Sequence, residues 1–334
     1  MNGVKQGNMK PDIYFDDNFG KLYEDIEYGK SEVFRFSSSE GAISTQFIKR
    51  AIPMNINGCT YYDLITPYGY GGPYIVESTA NDKSVLVTKF MDEFKQYCMD
   101  NHIVSEFIRF HPIIGNHKDF INVYDTVYLH PTVGTKIEGI EDPIQEEFSK
   151  SCRKSIRRAL KSGIDYKVIE NPENIDEFLK IYYSTMDRNH ASTYYYFDKS
   201  YFDKCLKYYR KNIILVEAIY KNNIIAAGFY FYYNRILQAH LSGTLSEYLH
   251  LSPAYIIKYA TARWAKEHGM SYIHYGGGTS NSLEDPLYLF KKKFTKNTEF
   301  EYWIGKKIWN SEVYEELCKQ KAVEETDYFP AYRK

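Results

Sequence analysis

The chain has 334 residues, of which 44% are hydrophobic and 25% charged, and its formal net charge is −1. This composition excludes a disordered or fibrous protein, and the length favours two domains over one. No window approaches the roughly 20 apolar residues of a membrane span, and no segment has the layout of a secretory leader, so a cytoplasmic protein is expected.

Cys59, Cys98, Cys152, Cys205 and Cys318 are widely spaced and odd in number. They suit reduced thiols, neither a disulfide framework nor a zinc site. The nine histidines show no metal-binding spacing, so no metal is expected. The 34 tyrosines are scattered among Lys, Asn and Ile and read as compositional bias. The near-neutral total hides an asymmetry. Residues 1–149 carry 13 Lys+Arg against 22 Asp+Glu, leaving 29 against 21 for the remainder. The C-terminal half is therefore the natural partner for an anionic ligand such as a nucleotide, a coenzyme or tRNA.

In chain order, a polar, aromatic lead-in precedes alternating runs at 32–36 and 45–52 that read as strands. A strand at 61–65 runs into the Pro/Gly cluster from Pro67 to Pro73, and 81–101 has the apolar spacing of an amphipathic helix. Strands follow at 104–110 and 123–129. A composition shift at 139–143 predicts a boundary between a domain of residues 1–141 and one of 142–334. Beyond it come a basic helix at 145–161 stopped by Gly163, a strand at 165–169, helices at 174–188 and 199–209, and strands at 213–220, 224–233 and 236–242. The remaining elements are a helix at 253–268, a strand at 272–275, a short helix at 286–293, a strand at 299–308 and a helix at 311–319. Asn222-Asn223 predicts a hairpin turn. The fold class is α+β (α/β in broad schemes), because a three-strand meander interrupts any regular βαβ array.

Four segments of this order resemble one family: Pro67-Tyr-Gly-Tyr-Gly-Gly-Pro73; the basic helix Cys152 to Gly163; Leu241-Ser-Gly-Thr244 with Leu251-Ser-Pro253; and Gly276-Gly277-Gly278 with Phe290-Lys-Lys-Lys-Phe294. Together they are similar to the FemAB/FemX-like peptidyl transferases and related GNAT N-acyltransferases. That resemblance implies two tandem GNAT domains with mixed, mostly antiparallel sheets, the first on the acceptor side and the second on the donor side. It implies an acyltransferase acting on an amine of a cell-wall precursor or other peptide or glycan intermediate. Aminoacyl-tRNA or acyl-CoA is the co-substrate, with no tightly bound cofactor, and neither DNA nor an integral membrane is a partner. The chain departs from the family in having no Trp before Trp264, no room for a long helical arm, and no Arg/Gln-x-x-Gly-x-Gly/Ala phosphate signature. The donor therefore stays open between aminoacyl-tRNA and acyl-CoA, the latter in an N-acetyltransferase acting on an amino sugar or surface-glycan precursor; a non-catalytic ligand-binding module is the third reading.

By the resemblance, Lys291 matches the lysine of a Phe-Lys-x-x-Phe motif and is the first catalytic candidate, able to stabilise an oxyanion or hold a phosphate. Gly276, Gly277 and Gly278 at a strand end, with Phe290, are donor-side candidates, although Phe290 also suits a core anchor for Phe294. Arg153, Arg157 and Lys161 form one cationic stripe, with Lys154 and Arg158 beside it; Arg153 and Arg157 are donor-side candidates, the resemblance suggesting tRNA, with a solvated helix paired to acidic residues of the N-terminal half as the alternative. Tyr68, Gly69, Tyr70 and Gly71 are acceptor-side candidates, with a tight turn as the alternative. For the base that deprotonates the acceptor amine, Asp63, His111 and Glu106 are candidates. No nucleophile elbow or cysteine-protease signature is present, so direct transfer without a covalent enzyme intermediate is expected.

Overall fold

The computed structural model describes residues 10–79 and 81–334, which form two compact units: residues up to Leu129 together with Glu301–Lys334, and His130–Phe300.

The first unit contains β1 (Gly29–Ser38), β2 (Gly41–Ile56), β3 (Cys59–Ile65), β4 (Tyr74–Ser78), α1 (Lys83–Asp100), β5 (Ile103–Arg109) and α2 (His117–Phe120). β1, β2 and β3 form an antiparallel meander, β4 adds to β2, and β3 pairs in parallel with β5 across the α1 crossover. Asn57 and Gly58, both at positive φ, close the β2–β3 hairpin as a type I′ turn requires. Asp82 caps α1 by accepting from the Ser84 amide at 2.8 Å. The helix then buries Leu86, Phe90, Phe94 and Cys98 against Phe36, Phe47, Leu64 and Ile108 of the sheet.

β6 (Asp125–Lys136) carries the chain into the second unit, which contains α3 (Pro143–Glu147), α4 (Lys150–Lys161), β7 (Ile164–Glu170), α5 (Asp176–Arg188), α6 (Lys199–Tyr209), β8 (Ile213–Tyr220), β9 (Asn223–Tyr233), β10 (Ile236–Thr244), α7 (Pro253–Glu267), β11 (Tyr272–Gly276) and α8 (Pro286–Lys292). β7 to β10 are antiparallel, β10 pairs in parallel with β11 across α7, and β11 pairs antiparallel with β6. A meander followed by a helical crossover to a parallel strand thus occurs once in each unit. β12 (Glu299–Ile308) and α9 (Ser311–Gln320) return to the first unit, where Ile304–Ile308 pairs antiparallel with β5.

The predicted strands and main helices overlap the observed ones, although β4 has no predicted counterpart and β6 runs on to Lys136, and the sheets are mixed and mostly antiparallel as expected. Three further details differ. The basic helix breaks at Phe148, which is extended and fully buried against Phe294 with ring centroids 5.3 Å apart; Ser149 then caps α4. The β8–β9 turn is Lys221-Asn222, both at positive φ, one residue before the predicted pair. Residues 301–334, which the sequence groups with the C-terminal domain, belong to the first compact unit, and the change of unit comes at 129/130. The cause is the β5–β12 pairing together with the docking of Leu317 and Tyr332 against Ile52 and Val104.

Candidate active site

In the second unit β10 and β11 pair only over Ile236–Gln238 and Tyr272–His274, although β10 continues to Thr244. The ladder to β9 shifts register between Ala239 and Leu241, a bulge that follows directly on the last residue paired with β11. His274 marks the last paired position. Its ring bridges Gln238 on β10 and Thr132 on β6 at 2.9 Å each, so the strands are cross-braced where the opening begins.

At the end of β11 the three glycines make the turn that the sequence predicts. Gly276 takes φ +74°. A Cβ on Gly277 would lie 2.2 Å from the His130 ring, so no larger residue fits there without moving that ring. The amides of Gly277 and Gly278 donate to no backbone carbonyl among the described residues. Asp285 closes the turn. One carboxylate oxygen accepts from the Leu287 and Tyr288 amides that begin α8, and the other accepts from the amides and hydroxyls of Thr279 and Ser280. These bonds, the Thr279 hydroxyl first among them, hold its carboxyl well below the usual range.

The lysines that end and cap α8 separate. Lys292 pairs with Glu299, and Lys293 donates to the Tyr255 hydroxyl at 3.3 Å. Lys291 turns back and donates to the Gly277 carbonyl at 2.6 Å. Burial, and then the charge of Lys258, push the Lys291 amine down to about 7, while Asp285 acts in the opposite direction. Phe290 packs edge-on against Tyr255 and Phe294, the core-anchor alternative weighed from the sequence.

Lys258 is a residue that sequence reasoning missed. It lies on α7, 7% exposed, with its ammonium 4.5 Å from the Tyr275 ring centroid and 5.3 Å from that of Tyr230, and it donates to the Tyr230 hydroxyl at 3.2 Å. No carboxylate pairs with it among the described residues. A signal was present in the sequence: Thr261, Ala262 and Ala265, at i+3, i+4 and i+7 from Lys258, are all fully buried, so this lysine stands within an apolar helical stripe.

On α4, Cys152, Ile156 and Ala159 face the core, while Lys150, Lys154, Arg157, Arg158 and Lys161 are exposed and form no ion pair with a described residue. Arg153 leaves the stripe, because its guanidinium turns back onto the carbonyls of Gln145 and Phe148.

The first-unit candidates prove to be held by the fold. Both Asp63 oxygens are taken, one by Arg50 at 2.8 Å and the other by Arg333 at 2.7 Å, and the side chain is buried. This corrects the expectation of a free carboxylate base. His111 is likewise buried: its Nδ1 accepts from the Ile114 amide at 3.2 Å, so Nε2 carries the proton and donates to Asp12 at 2.8 Å. Neither ring nitrogen is left for proton transfer. Glu106 is buried and accepts from the Tyr124 hydroxyl, and burial raises its carboxyl to about 8. The Tyr68–Gly71 turn is closed by aromatic packing. Tyr70 lies edge-on to Tyr14 and to Tyr302, both at 5.4 Å, and a Cβ on Gly69 would meet the Tyr14 ring at 2.3 Å.

Residues 146–285 match the family described as acetyltransferase (GNAT) domain. The chain is also 26% identical over 175 residues to the UDP-N-acetylmuramoylpentapeptide-lysine N(6)-alanyltransferase of Weissella viridescens, over 52% of this chain and 51% of that protein. The chain thus spans about half the length of this curated relative. Among solved structures, FemX superposes with a TM-score of 0.66 at 14% identity, covering 94% of this chain and 98% of that one. The C-terminal domain of a putative lysylphosphatidylglycerol synthetase from Agrobacterium fabrum gives 0.55 at 13% identity, covering 93% and 92%. The match to the GNAT domain family thus falls within the second unit, where the parallel pair opens. Over most of its length the chain shares the fold of FemX.

Proposed function

We propose that the chain is an aminoacyltransferase that moves an aminoacyl group from aminoacyl-tRNA to an amine of a muramyl-peptide cell-wall precursor, in the cytoplasm where charged tRNA is found. The observation that carries this reading is the Lys291–Gly277 contact at the glycine turn beside the β10–β11 opening. Lys291 brings a cation to a turn whose Gly277 and Gly278 amides donate to no backbone carbonyl among the described residues, and cations and N–H groups are the donors that stabilise a tetrahedral oxyanion. The acceptor nitrogen attacks the ester carbonyl and forms the C–N bond to give a tetrahedral oxyanion; collapse of the oxyanion breaks the ester C–O bond, and the nitrogen's proton ends on the released ribose oxygen. The fold's part is to hold the two substrates in register and to place positive charge at the oxyanion. The unpaired cations of α4 supply a surface for the phosphates of the donor.

The acyl-CoA reading draws on the GNAT-family match and is separated by a direct assay. Purified protein is given a UDP-muramyl pentapeptide with either charged tRNA or acetyl-CoA. RNase-sensitive transfer from charged tRNA is expected; transfer from acetyl-CoA alone would reverse the assignment of donor. The double charge reversal Arg157→Glu/Arg158→Glu is expected to weaken tRNA binding and to flatten its salt dependence, by about one unit of log–log slope for each phosphate that is no longer neutralised. Binding isotherms at several salt concentrations check this.

A further inference from the structure

We propose that Glu147 is a positioning residue for Lys291: with Phe148 and Ser149 it ties the start of α4 to the chain that follows α8, so that the cationic helix and the lysine at the glycine turn are held as one body. The inference deepens the proposed transferase reading and rests on it for its catalytic meaning. Its contacts are independent of any donor.

The tie is built from three consecutive residues. Glu147, the last residue of α3, is 2% exposed, and its carboxylate is turned onto the loop between α8 and β12. One oxygen accepts from the amides of Lys296 at 3.0 Å and Asn297 at 3.3 Å, with the Thr295 hydroxyl 3.3 Å away; the other accepts from the Thr298 hydroxyl at 2.9 Å. Successive amides converging on one oxygen form a concavity that holds an anion, filled here by the protein's own carboxylate. Phe148 is extended, which ends α3 and brings its ring against Phe294. Ser149 faces both ways. Its hydroxyl accepts from the Cys152 amide as the cap of α4, and its own amide donates to the Lys293 carbonyl at 2.9 Å. Arg153 braces the bend from inside α4, through the carbonyls of Gln145 and Phe148.

From this joint to Lys291 is less than one turn of chain. The Phe294 amide donates to the Lys291 carbonyl at 3.0 Å, and the Phe294 carbonyl accepts from the Thr135 hydroxyl on β6 at 2.8 Å. With seven residues, α8 is too short to persist without tertiary support. Its place is therefore set by its two ends, Asp285 at the first and the Glu147–Ser149 joint at the second, and the Lys291–Gly277 contact lies between them. On the far side of the joint, α4 exposes Lys150, Lys154, Arg157, Arg158 and Lys161. A donor whose phosphates seat on that side is registered against the lysine that meets its acyl group. Binding made far from the ester then serves to place it.

Two readouts test the tie, and the first needs no substrate. In Glu147→Ala, hydrogen exchange of amides 289–294 is expected to quicken by about tenfold or more, while the β7–β10 strands keep their protection. Quickening confined to 295–298 would overturn the proposal, since the carboxylate would then hold only its own loop. The second readout compares full-length charged tRNA with an aminoacylated 3′ fragment that lacks the tRNA body. The wild-type kcat is expected to favour the full tRNA, and Glu147→Ala to cut that ratio by about tenfold with KM for the tRNA within about twofold, because the outer side of α4 is untouched. A purely structural loss lowers kcat with both donors alike and leaves the ratio in place, a result that also counts against the tie. Glu147→Gln keeps the volume and one acceptor oxygen; it guards against an Ala variant that does not fold, and is expected to move both readouts the same way by a smaller factor. If neither donor supports transfer, the functional reading fails while the exchange result stands. If transfer occurs with an unchanged ratio, the tie fails alone.

Discussion

Lys291→Met is expected to slow aminoacyl transfer by about 10²–10³-fold in kcat, the loss that follows removal of one preorganised oxyanion donor. The side chain is an unusual one. Its two neighbours on α8 have their own partners in Glu299 and Tyr255, whereas Lys291 is drawn onto the Gly277 carbonyl at the strand end. Methionine keeps most of the length and apolar volume, so the packing of Phe290 and Phe294 is retained and thermal unfolding stays close to that of the wild type. Steady-state kinetics with charged tRNA measures the effect, and donor binding should change far less than kcat. A variant that keeps a third or more of wild-type kcat would remove Lys291 from the chemistry and reduce the turn to a structural feature. Lys291→Arg is a stricter probe. It preserves charge but cannot release a proton, so it separates oxyanion stabilisation from proton transfer.

The second large effect falls on stability. Asp63→Ala is expected to destabilise the first unit by about 3–5 kcal/mol, because Arg50 and Arg333 would then share a mostly buried site without their common counter-ion. Glu27 compensates only on the Arg50 side, at 3.3 Å. Arg333 also donates to the Ala51 carbonyl, and Tyr332 bonds Ser105 at 2.7 Å, so the variant should loosen the C-terminal segment from β2 and β5 first. Urea unfolding gives the magnitude, and hydrogen exchange at 331–334 locates it. If Asp63 were the general base, the signature would be reversed: kcat would collapse while the unfolding midpoint barely moved.

Much of the fold was legible because it rests on local periodicity. The α1 helix and the β7–β10 strands each follow from residues within one or two turns of chain. The lead-in was not legible. Ile13, Tyr14, Phe15, Phe19, Leu22 and Tyr23 are buried, yet their spacing has neither a helical nor a strand period, since they form 3₁₀ turns that plug the sheet. The same holds for β4, hidden behind the Pro67–Pro73 cluster.

At the site the division is sharper. The glycine run and Phe290-Lys291-Lys292-Lys293-Phe294 were readable as a motif, because glycine permits a backbone path that few residues allow and a lysine cluster signals charge. Which lysine faces the turn depended on partners distant in sequence: Glu299 takes Lys292, Tyr255 takes Lys293, and Gly277 receives Lys291. The fates of Asp63, His111 and Arg153 were equally non-local or conformational. Arg333 lies 270 residues from Asp63 and Asp12 lies 99 from His111, separations that no local pattern records. By itself the sequence determined the order of the elements and the presence of a cationic glycine turn, both of which are properties of short-range periodicity and composition. Only the tertiary structure decided which charges have partners, because a charge is neutralised by whatever folding brings within hydrogen-bond reach, and that is how Lys258 came to be buried with no carboxylate partner among the described residues.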